Sequence, residues 1–123
     1  MPTLPAGLSA RDADLVRNLP MFEQLAEQDL ASLLTTATVR TVERGAELFM
    51  QGDPADRFFV VLEGWVKLYR VNRDGAEAVV RMVSRGESFA EAAMFSGARF
   101  PVSAQAVTDL RVLSITSRAF ARC

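Results

Sequence analysis

The side chains able to do chemistry are few, and their spacing narrows what that chemistry is. Glu91 stands near the start of a compact apolar run, Phe89-Ala90-Glu91-Ala92-Ala93-Met94-Phe95, and Arg99, Phe100, Pro101 and Val102 follow it. A helix N-terminus and a guanidinium each favour an anion. A Glu in that position also serves commonly as a cap or a solvated group. The chain has no histidine, and Cys123 is its only cysteine. An internal disulfide, an ordinary zinc site, a four-thiolate iron–sulfur site and a histidine-activated nucleophile are therefore excluded. Tyr69, Met94 and Cys123 each have a simple structural explanation: a strand, an apolar run and the chain end. A catalytic site is not expected.

The elements that must position these groups follow from the apolar pattern. At 123 residues, half of them hydrophobic, the chain suits one domain with one real core. Residues 1–8 read as a loose leader. Ser9-Ala10-Arg11-Asp12 opens a helical pattern through Leu15, Val16 and Leu19 that Pro20 stops, and Leu30, Leu33 and Leu34 recur at helical spacing. From Val39 onward the texture turns to short strands. Phe58–Leu62 reads as buried, Trp65–Val71 alternates at period two, and Asn72-Arg73-Asp74-Gly75 makes a hairpin loop into Ala78–Val83. Val102–Val107 and Val112–Ile115 add two more, and Ser117 is a plausible N-cap for a last helix. Gly52, Gly64, Gly75 and Gly86 punctuate the strands as structural turn residues. The expected fold is mainly β, an antiparallel roll or sandwich with flanking helices.

Charge excludes a further class. Fourteen basic residues oppose fifteen acidic ones, and a net charge of −1 leaves no electrostatic footprint for nucleic acid. No stretch reaches the length needed to span a bilayer and no targeting segment opens the chain, so a cytoplasmic address without membrane contact is expected.

Three linked segments carry a family resemblance: Leu48-Phe49-Met50-Gln51-Gly52-Asp53, Phe59-Val60-Val61-Leu62-Glu63-Gly64, and Val66-Lys67-Leu68-Tyr69-Arg70. With Gly86-Glu87-Ser88-Phe89-Ala90-Glu91 and Ala104-Gln105-Ala106 in register, the chain resembles the cyclic-nucleotide-binding sensor domain of CRP/FNR transcription regulators from about Phe22 to Cys123. That resemblance implies a double-stranded β-helix, or jelly roll, over residues 9–116 and the start of a dimerisation helix over 117–123. It also implies a homodimer, and DNA contacts made only by a helix-turn-helix absent from this chain. In such sensors a Gly-Glu helix and an Arg-Ser/Thr-Ala element hold the ligand, the Arg taking the cyclic phosphate and the Glu a ribose hydroxyl. Here Glu91 matches the Glu and Ala90 replaces the Gly, while Phe100 or Pro101 falls on the Arg position. Tight cyclic AMP binding is therefore not expected, although Phe100→Arg should restore it if the loop is a lapsed phosphate site. Phe89-Ala90-Glu91-Ala92 and Ala104-Gln105-Ala106-Val107 look closest to the nitrogen-oxide-responsive DNR branch. There the resemblance implies an apolar pocket and haem as the nitric oxide sensor. Without histidine, Tyr69, Met94 and Cys123 are the candidate ligands left for its iron. Phe22, Phe89, Phe95 and Phe100 could line the cavity, although plain core explains them more simply. The rival is a true cyclic-nucleotide domain of a transcription factor, enzyme or channel.

Overall fold

A computed structural model of the protein describes residues 5–121. Eight strands among them are β1 (Thr38–Val42), β2 (Glu47–Phe49), β3 (Arg57–Glu63), β4 (Trp65–Val71), β5 (Glu77–Ser84), β6 (Ser88–Phe89), β7 (Ser103–Ala106) and β8 (Leu110–Thr116). They pair into two four-stranded antiparallel sheets of order β1-β8-β3-β6 and β2-β7-β4-β5. The mainly β jelly roll expected from the pattern is the fold observed.

β3 explains why its segment reads as one continuous apolar run. Phe59 and Val61 face the interior between the sheets with Phe49, Val66, Phe89 and Phe100. Phe58, Val60 and Leu62 face the other way, under the helices α1 (Ala10–Arg17) and α2 (Glu27–Thr36). Both faces are buried, so the strand cannot alternate. Burying one such Phe or Val side chain is worth about 1.5–3 kcal/mol relative to exposure, which makes β3 the spine of both apolar layers.

Ser9 and Asp12 form a capping box at the start of α1. Asp12 does more than cap: it is 5% exposed, and its Oδ2 accepts from Arg111 on β8 at 2.8 Å. Arg111 also donates to the carbonyl of Gly7 at 2.6 Å, and Leu8 is buried. Residues 5–8, read from sequence as loose, are thus tied to the roll by a hydrogen bond between groups 104 positions apart. Burial alone would raise the Asp12 pKa, but hydrogen bonds from Arg111 and Ser9 outweigh it and hold the carboxyl below its ordinary value. The stability this contributes is complete above the unfolded value of about 3.9 and is lost as pH falls through the folded one. In urea titrations at descending pH, Asp12→Asn should flatten the acid limb below about pH 3.9. An unchanged limb would remove Asp12 from the acid response.

At the far end α4 (Ser117–Ala121) leaves β8. The hydroxyl of Thr116 accepts from the Ala119 amide at 3.2 Å, so the cap lies one residue before the expected Ser117. The Ser117 amide instead donates to the Asp56 carbonyl at 2.9 Å. Among the described residues no helix is long and apolar enough to cross a membrane.

Candidate functional site

The segment from β6 to β7 forms a cassette whose helix packs against β3. Ala90 ends β6 with φ of 74°, the only described non-glycine residue in the left-handed region, and caps the six-residue helix α3 (Glu91–Ser96). Left-handed backbone costs a residue with a Cβ about 1–2 kcal/mol. Ala90 packs against both apolar layers, and those contacts hold it there. Gly97, also left-handed, ends the helix, with the Ala98 amide donating back to the Ala93 carbonyl. Relief of the Ala90 strain, less the added chain entropy of glycine, predicts that Ala90→Gly raises stability by about 1 kcal/mol. A lower urea midpoint for that variant would show that no strain is stored.

Glu91 follows the strained cap. Its Oε1 is buried and has no hydrogen-bond partner among the described residues. A buried carboxylate oxygen without a donor is costly, so this atom is available to a ligand O–H or N–H. Ala92, its neighbour, is exposed.

In the loop after α3 the structure places Phe100 and Pro101 differently. The Phe100 amide donates to the Asp53 carbonyl and the Gly52 amide to the Phe100 carbonyl, both at 2.9 Å. This pairing turns Phe100 inward, where it is 4% exposed and stacked on Phe49 with ring centroids 3.8 Å apart. Arg99 and Pro101 are exposed on either side, and Val102 is half-buried against the inter-sheet layer. Arg99 is occupied elsewhere, its Nη1 donating to the Gly52 carbonyl at 2.8 Å. Of the two residues that align with a phosphate-binding arginine, one is therefore a core aromatic and the other an exposed proline.

The candidate haem ligands do not converge. Tyr69 is turned away from the cassette, and its hydroxyl donates to Glu47 at 2.7 Å. That bond to a carboxylate, with burial, pushes the phenol pKa up, against the phenolate that would ligate iron. Met94 is buried on the opposite side of α3, under the helical cap with Phe22 and Phe58. Cys123 lies outside the described residues. The aromatic set proposed to line one cavity is divided as well: Phe22 sits under the cap, Phe89 and Phe100 between the sheets, and Phe95 is 57% exposed. Haem does not fit the donors described.

Four residues of the β4–β5 hairpin, Val66, Leu68, Arg70 and Val80, are added to the candidate site, and the sequence reading did not place them there. Val66 and Leu68 of β4 point into the inter-sheet layer, and Arg70 continues that face toward the end of the strand. The Arg70 Nε donates to the Pro101 carbonyl at 3.3 Å. A bulge on β5 sets Val80 beside Arg81 opposite Leu68, leaving Val80 55% exposed. Period two on Trp65–Val71 marks the face of Arg70, whereas the bulge has no sequence signal.

The family model described as the cyclic nucleotide-binding domain matches residues 39–123. The chain is 34% identical over 110 residues to a cAMP-dependent protein kinase regulatory subunit of Mycosarcoma maydis, covering 85% of this chain and 21% of that protein. It is 28% identical over 100 residues to the Cyclic AMP receptor protein of Thermus thermophilus, covering 81% and 46%. The chain thus spans less than half the length of these curated relatives. Among solved structures, the sensor domain of the transcriptional regulator DNR from Pseudomonas aeruginosa superposes with a TM-score of 0.84 at 31% identity, covering 89% of this chain and 73% of that one. With the roll, the cassette helix and the matched segment in agreement, the chain belongs to the cyclic nucleotide-binding domain family, a family of regulatory ligand-binding domains.

Proposed function

We propose that the chain is the effector-sensing domain of a cytoplasmic CRP/FNR-type transcription regulator. Its effector sits between α3, the loop after it and the inner face of the β4–β5 hairpin. The observation that carries this reading is Phe100, buried and stacked on Phe49 in the loop that aligns with the anion-binding segment, where it supplies an apolar ring and no charge. In the nitrogen-oxide-responsive branch such a site would serve a gaseous signal through haem. Since Tyr69 and Met94 face elsewhere, a small effector needing no iron ligand from these residues ranks first. The signal leaves through β8 into α4, whose continuation would form the dimer helix of a homodimer and lead to the DNA-binding segment.

A second reading, a cyclic-nucleotide-binding regulatory domain, is favoured by Glu91, whose free Oε1 suits a ribose hydroxyl, and by the cyclic AMP named in two relatives. Two titrations separate the readings: calorimetry with cyclic AMP, and absorption spectra with haem before and after nitric oxide. The first reading expects no cyclic AMP binding at micromolar concentration and no Soret band. Micromolar cyclic AMP binding would establish the second reading. A Soret band that shifts with nitric oxide would return haem to the site.

A further inference from the structure

We infer that the effector carries an anionic group and that Arg70, reaching from the roll wall, grips it in place of the arginine the loop lacks. This rests on the reading of the cassette as an effector site. The Arg70 guanidinium is anchored through Nε to the carbonyl of Pro101, the residue after Phe100, which brings it to the part of the loop where the missing charge belongs. Anchoring one nitrogen leaves the terminal pair of the fork to meet an oxyanion, and among the described residues Arg70 has no carboxylate partner. The neighbouring arginines are committed: Arg99 to the Gly52 carbonyl, and Arg81 to Glu87 at 3.6 Å.

The surroundings supply the rest of the ligand's description. Val80 is an apolar shelf exposed on the inner side of the hairpin beside Leu68, and Ala78, the strand partner of Arg70, extends it without bulk. Glu91 Oε1 accepts one hydrogen bond and disfavours a second anion near it. A fitting molecule therefore has an apolar body, an acid group at one end and an O–H or N–H donor at another. Its anion is held by an exposed side chain and not by a buried clamp, so binding weakens with salt.

The probe 6-anilinonaphthalene-2-sulfonate has all three features, with its sulfonate and anilino N–H at opposite ends of the naphthalene, and reports binding by fluorescence. Folded protein should bind it, Val80→Trp should abolish binding by covering the shelf, and Arg70→Gln should weaken it about fivefold to tenfold. Arg99→Gln should leave affinity within about twofold, because that guanidinium is used by the Gly52 carbonyl. Circular dichroism confirms that each variant is folded. Binding lost in Val80→Trp but equal in Arg70→Gln and wild type overturns the role of Arg70 and leaves the pocket standing. Absent binding, or binding indifferent to Val80→Trp, overturns the pocket itself and the inference with it.

Discussion

Phe100→Arg is expected to unfold the roll instead of restoring a phosphate clamp. The ring lies 3.8 Å from Phe49, centroid to centroid, within an aromatic group that includes Phe59 and Phe89. Removing a buried Phe costs about 3–5 kcal/mol, and an unpaired charge in the same place costs several more. Together these approach the whole stability of a domain this size, about 5–15 kcal/mol. Urea unfolding followed by circular dichroism should show Phe100→Arg largely unfolded in buffer, while Phe100→Leu folds with a loss of about 1–2 kcal/mol. A folded Phe100→Arg protein that binds cyclic AMP more tightly would mean that residue 100 can turn outward and that the loop retains a phosphate geometry. The expectation drawn from the aligned motif treats position 100 as loop surface. The pairing of Gly52 with Phe100 makes it core.

The difference shows which physics the sequence exposes. Strand rhythm is local, so the roll, the Asn72–Gly75 hairpin and the doubly buried β3 were legible from apolar spacing and turn residues. Glu91 was singled out because the family motif falls on it, whereas its place at a helix start alone reads as a cap or a solvated group. Long-range pairs were not legible: nothing near Leu8 announces that Arg111 will hold the carbonyl before it. The left-handed Ala90 was hidden because alanine is a poor marker for that backbone, and only packing against both layers enforces it. Thr116 and Ser117 offer the same hydroxyl to a helix start, so one residue of slip was undecidable without the Ala119 amide. The bulge at Val80 likewise depends on how β5 registers with β4, which no single strand records. The site is thus least legible where two distant segments meet, and a ligand must recognise that junction.

Gly64→Ala should produce the other large loss, and at the end of β4 remote from Arg70. Gly64 has φ of 96° in the tight turn from β3 to β4, which belong to different sheets. A Cβ there would lie 2.4 Å from the Asp109 carbonyl oxygen and 2.8 Å from the Thr108 hydroxyl. Neither neighbour is free to retreat. Thr108 accepts from the Trp65 amide at 3.1 Å and the Val107 amide donates to the Trp65 carbonyl at 3.0 Å, while Asp109 accepts from the Arg44 amide. The left-handed backbone costs about 1–2 kcal/mol for alanine, and the forced contact with backbone adds about 1–3. Gly52 and Gly75 have φ of 94° and 85°, yet a Cβ at either meets nothing within 4 Å. Gly52→Ala and Gly75→Ala should therefore lose only the backbone part. The gap between Gly64→Ala and those two, read from urea midpoints, isolates the close approach that joins the sheets. Equal losses at all three would assign Gly64 to turn geometry alone. The folded fraction of Gly64→Ala should still bind the sulfonate probe with wild-type affinity, because the turn it strains lies a full strand from Arg70 and Val80.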